Sequence, residues 1–382
     1  MRILWLTEHA YPGLGGMATS CERQVAGLRG LDVLIDVIHL TGDADGIKTT
    51  VELGGERVRA PMGDDAAHGL NVLWAHLAQR GTRWTHVLAF GGNLPLLAGP
   101  VFASWLGLPL ITELRGNDFD TGVFQPARRA VLEEALRRSA QVVTVSRDMR
   151  TRLLALYPTT RVNVIANGIA LDHWQALPSD RANAAAWRAG LGITQEAGRV
   201  VLGLFGQIKP KKGGVFLLEA IMRAGLAERV HLLCAGAVDE AVTMWLAGHP
   251  ALAITQVAAI DRYALIPWYL ACDAVAVPSW YDGMPNVVLE AGGLGVPVLA
   301  SSAGGMPDVL ADVPGATLFA PGDLDDCAAV LEAFVAAPPA ARRQMGLDLR
   351  RHVAVHFQAE QEIRALEELL RDTHISARAA VQ

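Results

Sequence analysis

An α/β protein of two domains, each built on a parallel sheet with helical crossovers, is what the sequence predicts, on three observations. Short continuous apolar runs alternate with helix-period segments along the whole chain, as expected of strands buried on both faces and the helices that cover them. The 382 residues are too many for one ordinary core. The alternation is interrupted once, over 177–198, where Pro178 and Ala182-Asn-Ala-Ala-Ala186 carry no strand.

In the first series, strands are expected at 2–6, 33–39, 86–90, 108–113, 142–145 and 162–165, with helices over 17–28, 70–79, 94–105, 127–139 and 149–156. The second series places strands at 200–205, 230–234, 252–256, 274–277 and 297–300. The tail over 340–373 reads as helix, with Ile363, Leu366, Leu369 and Leu370 forming an apolar stripe beside charge. Residues 90–112 carry no charge over 23 positions, the length of a membrane span. Pro95, Pro100 and Pro109 divide that stretch into a helix and a following strand, so a buried α/β unit is expected, with peripheral membrane contact left open.

Composition narrows the function. A hydrophobic share of 51% with 38 glycines and 19 prolines fits a globular α/β chain. The formal charge of −6 argues against wrapping a nucleic acid, which needs clustered basic surface. Cys21, Cys234, Cys272 and Cys327 form no C-x-x-C pair, which points to neither a zinc site nor a disulfide scaffold and makes reducing cytosol the expected compartment. Met1-Arg-Ile-Leu-Trp-Leu-Thr7 is too short for a signal h-region before Glu8 and His9. His9, His173 and His231 fall in no metal-binding spacing.

Two parallel sheets of this kind bind ligands in the loops at the C-terminal ends of their strands. Ser279-Trp-Tyr-Asp-Gly-Met-Pro-Asn-Val-Val-Leu-Glu290 spans such a strand-to-helix junction and sets two carboxylates eight positions apart. Pro278 and Gly283 end the strand and Pro285-Asn286 opens the helix. Asp282 therefore falls in the turn and Glu290 about one helical turn inside. A carboxylate accepts two hydrogen bonds at once, which suits vicinal hydroxyls, while free amides at a helix start suit phosphate. Gly283, Met284, Pro285 and Asn286 belong to the same ligand-facing turn.

Phe205-Gly-Gln-Ile-Lys-Pro-Lys-Lys-Gly-Gly-Val215 follows the first strand of the second series. Gly213 and Gly214 let backbone amides approach a diphosphate closely, Lys212 supplies compact positive charge, and Gly206 and Gln207 of the same loop are counted with them as donor-binding residues. A surface lysine cluster is the alternative. Pro12-Gly-Leu-Gly-Gly-Met17 holds the matching place in the first series; Gly15 and Gly16 are its candidates, against a tight turn that merely needs small residues. Arg115-Gly-Asn-Asp-Phe-Asp120 ends another strand, and Arg115, Asn117 and Asp118 are candidates for positioning substrate, against an ordinary solvated loop. Asp118 and Asp120 also match a D-x-D metal spacing, but with Lys212 and helix amides available for phosphate charge no metal is assigned. Asn167-Gly168 reads as a turn between the domains. Gly304-Gly305 lets backbone approach either a ligand or a packed neighbour.

Residues 278–297, Gly304-Gly305, Gly206 to Gly213, the Gly15-Gly16 turn and Val164-Ile-Ala-Asn-Gly168 together resemble the glycosyltransferase family 4 group over most of the chain, its E-x7-E motif being the most specific element. The resemblance implies the GT-B fold, two Rossmann-like domains facing a cleft, with a C-terminal helix crossing back to the N-terminal domain. Residues 1–176 with a crossover helix at about 357–382 would then form an acceptor domain, and 177–356, including the 177–198 connection, a donor domain. Closure about Asn167-Gly168 and the C-terminal crossing is expected with it.

The resemblance further implies a retaining, metal-independent transferase that takes a nucleotide diphosphate sugar as donor substrate and has no cofactor. Glu290 would bind ribose hydroxyls, Asp282 the donor sugar, Lys212 the diphosphate, and Gly16 would bring backbone near the phosphate or sugar. A UDP-sugar is the favoured donor and GDP-mannose the second. The hydroxyl acceptor, whether saccharide, lipid, peptide or natural product, is left open, with residues 41–69 expected to contribute to its site. Three positions depart from the family pattern: Asp282 where Glu is usual, Gln207 where Arg is usual, with Lys209 or Lys211 as substitutes, and Arg115 where His is frequent. Those departures keep a sugar-nucleotide-binding regulatory protein as an alternative, with a GT-B epimerase or phosphorylase behind it.

Overall fold

Residues 1–10, 15–42, 46–81, 83–193, 199–258 and 261–379 are described by the structure, a computed structural model. In chain order the first part forms β1 (Arg2–Thr7), α1 (Gly16–Arg29), β2 (Leu34–Thr41), β3 (Lys48–Glu52), β4 (Gly55–Pro61), α2 (Ala66–Ala78), β5 (His86–Phe90), α3 (Asn93–Leu106), β6 (Leu110–Leu114), α4 (Asn117–Asp120), α5 (Pro126–Arg138), β7 (Ser139–Thr144), α6 (Arg147–Leu156) and β8 (Val162–Val164). There follow α7 (Pro178–Gly190), β9 (Val200–Phe205), α8 (Gly214–Arg223), β10 (Val230–Ala235), α9 (Glu240–Ala247), β11 (Ile254–Val257), α10 (Ile266–Ala271), β12 (Ala274–Val277), α11 (Asn286–Leu294), β13 (Val298–Ser301), α12 (Met306–Leu310), β14 (Thr317–Phe319), α13 (Leu324–Ala336), α14 (Pro339–His356) and α15 (Ala359–Ala379). Two units result: Met1–Asn167 with Ala359–Gln382, and Gly168–Gln358.

The first unit is a sheet in the order β3-β4-β2-β1-β5-β6-β7-β8, parallel except for the β3–β4 pair. Successive side chains of a strand face opposite ways, and β1 feeds two cores accordingly. Leu4 and Leu6 pack with Leu70, Leu73 and Leu77 of α2 and Phe102 of α3, whereas Ile3 and Trp5 pack with Val25 and Leu28 of α1 and Leu366 and Leu370 of α15. The uncharged stretch over 90–112 is the β5–α3–β6 unit, and α3 ends on Gly107, whose φ of 64° closes the helix in the left-handed region. No helix among the described residues is long and apolar enough to cross a membrane.

The apolar stripe of the C-terminal tail docks α15 into this unit. Gly27 on α1 leaves the hollow that receives Ile363; a Cβ there would lie 2.5 Å from Ile363 Cγ1. Glu362 on the same helix is buried and accepts hydrogen bonds from Arg23 Nε at 2.7 Å and Gln24 Nε2 at 2.9 Å.

The second unit is an all-parallel sheet in the order β11-β10-β9-β12-β13-β14. One face packs on α8 and α13 through Phe216, Leu217, Ile221, Leu331 and Phe334. On α11, Gly292 lies against Val353 and Leu349 of α14. From β9 the chain proceeds to β10 and β11 on one side, then returns to lay β12 on the other. β9 and β12 are therefore neighbours at the point where strand order reverses.

Several elements differ from the sequence expectation. Residues within 41–69, assigned to acceptor-site loops, include the β3–β4 hairpin that extends the first sheet. In β4 the buried Val58 and Ala60 alternate with Arg57 and Arg59, and the ion pairs of Arg57 with Glu22 and Glu52 let a charged strand be built in. The connection contains α7, whose Arg188 pairs with Asp273 at 3.0 Å; residues 194–198 lie outside the described residues. Residues 168–176 belong to the second unit instead of the first. Ile169 and Trp174 are buried there, and Ile169 N donates to Phe357 O at 2.8 Å. The helical tail is broken at Phe357 and Gln358 into α14 and α15.

Candidate functional site

The two most informative motifs converge in the second unit. Because β9 and β12 are parallel neighbours, the loops after them leave the same edge of the sheet, and the crevice at such a reversal of strand order is where open α/β sheets take ligands. Lys212, at the end of the loop after β9, forms an ion pair with Asp282, 70 positions on in the loop after β12. The other oxygen of Asp282 accepts the Gly283 N–H at 2.9 Å.

Glycines make this approach feasible. Gly206 has φ +90° and open space at its Cβ position, and both it and Gln207 are exposed. Gly213 has φ +69°, and a Cβ on it would lie 2.0 Å from Pro278 O. The two loops are also joined by Trp280 N donating to Lys211 O at 2.9 Å. Lys211, a candidate replacement for the missing arginine, carries its ammonium 5.3 Å above the Tyr281 ring.

Gly283, Met284 and Pro285 are buried beneath the turn, and Pro285 is the cap residue of α11, which starts at Asn286. Glu290 lies in the second turn of that helix. Its carboxylate accepts a hydrogen bond from the Tyr269 hydroxyl at 2.7 Å. Tyr269 is fully buried and stacked on Phe205 with 3.9 Å between centroids. Burial first, and the adjacent Glu290 carboxylate second, raise its phenol well above the ordinary value, so it serves as a fixed donor to Glu290. Nothing in its sequence surroundings marks it: Trp268-Tyr269-Leu270 reads as core, and only the fold brings α10 beside α11.

Gly304-Gly305 turns out to pack against the protein itself. Gly305 N donates to Gly283 O at 2.7 Å, and a Cβ on Gly304 would stand 1.8 Å from Asp282 O. This pair supports the acidic turn from below.

In the first unit, Gly15 and Gly16 are exposed at the start of α1, and Gly15 has φ +107° with open space around it; residues 12–14 lie outside the described residues. The Arg115 loop is bonded within its own unit. Arg115 is buried, with its guanidinium 4.9 Å from the Phe90 centroid. It donates to Glu113 at 3.1 Å and to Asn167 Oδ1. Asp118 accepts N–H groups from Arg115, Gly116 and Phe119, and Asp120 pairs with Arg152 at 2.7 Å. These side chains hold their own loop, while Asn117 is exposed at the start of α4.

Burial pushes the Glu113 carboxyl up to about 7 against the opposing pull of Arg115. A carboxyl raised from 4.5 to about 7 on folding contributes stability that is complete below pH 4.5 and is lost as pH rises through 7. Urea unfolding from pH 5 to 8 should therefore show Glu113→Gln losing less stability with rising pH than the parent. Buried His86, pushed down to about 4, tilts both curves the opposite way, so their difference isolates Glu113.

Residues 15–168 match the family described as Glycosyl transferase 4-like domain, and residues 199–336 match Glycosyl transferases group 1. Among curated proteins none is similar enough in sequence to match. Among solved structures, sucrose-phosphate synthase from Thermosynechococcus elongatus is 19% identical with a TM-score of 0.82, covering 98% of this chain and 99% of its own. Anabaena HepE in complex with UDP-glucose is 18% identical with a TM-score of 0.74, over 97% and 100%. The trehalose 6-phosphate synthase from Burkholderia multivorans is 14% identical with a TM-score of 0.75, over 100% and 98%. At these identities the likeness establishes the fold, which is GT-B.

Proposed function

The chain belongs to the family 4-like glycosyltransferases, and from that premise we propose that it moves a hexosyl unit, with retention and without a metal ion, from a nucleotide diphosphate sugar to a hydroxyl acceptor. A UDP-sugar is the favoured donor, with GDP-mannose second. The observation that carries this reading is the Lys212–Asp282 pair at the reversal of strand order, with Glu290 held by Tyr269 on the adjoining helix. A protein of the same fold has been solved in complex with UDP-glucose, which supports the choice of base. The four cysteines are buried and unpaired, which fits the cytosol, where we place the reaction; contact with a membrane surface is compatible with it.

In this reading Glu290 accepts hydrogen bonds from the ribose hydroxyls and Asp282 from the sugar hydroxyls. The diphosphate takes Lys212 from Asp282, aided by the exposed backbone of the Gly206 turn and the first amides of α11. As the bond from the anomeric carbon to phosphate oxygen breaks, negative charge grows on the departing diphosphate, where Lys212 stabilises it. The acceptor oxygen bonds to the anomeric carbon from the same face, and its proton passes to the departing phosphate oxygen. Gly15 and Gly16 present backbone in the acceptor unit.

A donor screen tests the reading. UDP-glucose, UDP-galactose, UDP-N-acetylglucosamine and GDP-mannose are compared by thermal shift and by donor hydrolysis, with and without EDTA, and the product anomer is read by NMR. A donor-dependent shift with EDTA-insensitive turnover and a retained anomer is expected; inversion or EDTA inactivation overturns the mechanism. Donor binding without transfer across a broad acceptor panel would favour the regulatory alternative.

Tyr269→Phe removes a hydrogen bond to a charged group, worth about 1.5 kcal/mol. It is expected to raise KM for the donor roughly tenfold with a smaller change in kcat. Steady-state kinetics at saturating acceptor separate the two, and an unchanged KM would show that Glu290 needs no help from Tyr269.

A further inference from the structure

A cavity of about 330 Å³ opens in the second unit behind the phosphate turn, walled by α8, the start of α9 and the loop entering α13. Pro210 and Gly213 line it, but Lys212, Asp282 and Glu290 do not. We propose that it is a second binding site, which takes one pyranose ring of an uncharged saccharide. Its support is separate from that of the donor site: of the residues assigned there, Gly213 alone lines this cavity.

The walls define the ligand. Trp280 is 46% exposed at the cavity, an unusual state for the largest side chain. It is held in place: a Cβ on Gly322 would lie 2.5 Å from its Cζ3, and Phe216 meets it edge-on at 5.5 Å and 61°. Because the two rings do not face each other, they offer a single aromatic platform and no cage for an ammonium group. A flat platform suits the C–H face of a pyranose.

Charge narrows the choice further. The lining includes the carboxylates of Glu219 and Asp239 and no Lys or Arg. Asp239 is fixed by accepting the Ala241 N–H at 2.9 Å, and Glu219 is exposed on α8. Carboxylates accept from sugar hydroxyls and repel phosphate, so the donor diphosphate and phosphorylated sugars are excluded. The volume lies within the range of small-ligand sites and accommodates a single ring. A ring seated there touches Pro210, Gly213 and Trp280, and Trp280 is hydrogen-bonded to Lys211. Occupancy therefore braces the phosphate turn from behind.

Saturation-transfer NMR with methyl α- and β-pyranosides of glucose, galactose and mannose, and with maltohexaose, tests the site. Transfer to at least one of these sugars is expected, and it should persist with UDP present and in Glu290→Ala. Trp280→Ala should abolish it, and Glu219→Gln, at an exposed position that leaves the fold intact, should weaken it roughly tenfold. Circular dichroism melts of both variants separate lost binding from lost folding, and the Glu219→Gln result stands if Trp280→Ala fails to fold. Silence from every sugar overturns the proposal, as does transfer that Glu219→Gln leaves unchanged or that UDP or pyrophosphate competes away. Failure of the donor-site reading would leave these results unaltered.

Discussion

Lys212→Ala is expected to lower kcat/KM for the donor by about 10²–10³-fold, the usual loss when one group that stabilises developing charge is removed. The loss should appear mainly in kcat, because the diphosphate carries most charge as it departs. Folding stability should change little. The Lys212–Asp282 pair has side chains 32% and 15% exposed, and a pair in partial contact with water contributes no more than about 1 kcal/mol. Kinetics and thermal melts of the same preparation make the comparison. Glu290→Ala is the companion: its loss should fall chiefly on KM, because the ribose contact is equal in ground and transition states. A near-unchanged kcat/KM in both purified variants would refute the assigned roles.

Gly304→Ala is expected to be strongly destabilising, at about 3 kcal/mol or more. Two penalties coincide: φ is +57°, and the added Cβ would stand 1.8 Å from Asp282 O and 3.1 Å from Gly283 O. Neither is the tip of a flexible side chain, so the acidic turn itself must move. Gly225→Ala serves as control, since Gly225 has φ +65° but open space at the Cβ position, which limits its cost to about 1 kcal/mol. Urea unfolding should rank Gly304→Ala well above the control. Donor turnover should fall in Gly304→Ala even where the protein is folded, because Asp282 shifts with its backbone. Equal stabilities for the two variants would mean that the turn yields freely.

Much of the site is legible in the sequence because its chemistry is local there. Gly206 to Gly213 and Asp282 to Glu290 each sit on one strand–turn–helix unit, where strand runs and helix starts carry their own signals. What stays illegible depends on partners distant along the chain. Tyr269 looks like core until α10 lies beside α11, and Gly304 gains its meaning only from the carbonyl of Asp282. Arg115, read as a candidate for positioning substrate or as part of a solvated loop, has its burial set by Glu113, Asn167 and Phe90, which the sequence does not place together. β4 is hidden because Arg57 and Arg59 mask the alternation of Val58 and Ala60. The boundary after Asn167 falls ahead of its expected place at 176, since Ile169 and Trp174 could pack on either side; the Phe357 carbonyl takes the Ile169 N–H, and Trp174 meets Tyr269 edge-on at 5.9 Å.

The passage of α15 into the first unit has a consequence for biosynthesis. That unit comprises Met1–Asn167 and residues from Ala359 onward, whereas the second is one continuous segment, Gly168–Gln358. A ribosome therefore delivers the second unit whole before the first has its last helix. Throughout that interval the hollow at Gly27, with Val25 and Leu28 beside it, is an open apolar groove on the nascent chain, the kind of surface that chaperones hold. The usual order, in which the N-terminal domain matures first, is reversed: the half that emerges first is completed last, by the segment that follows Gln358.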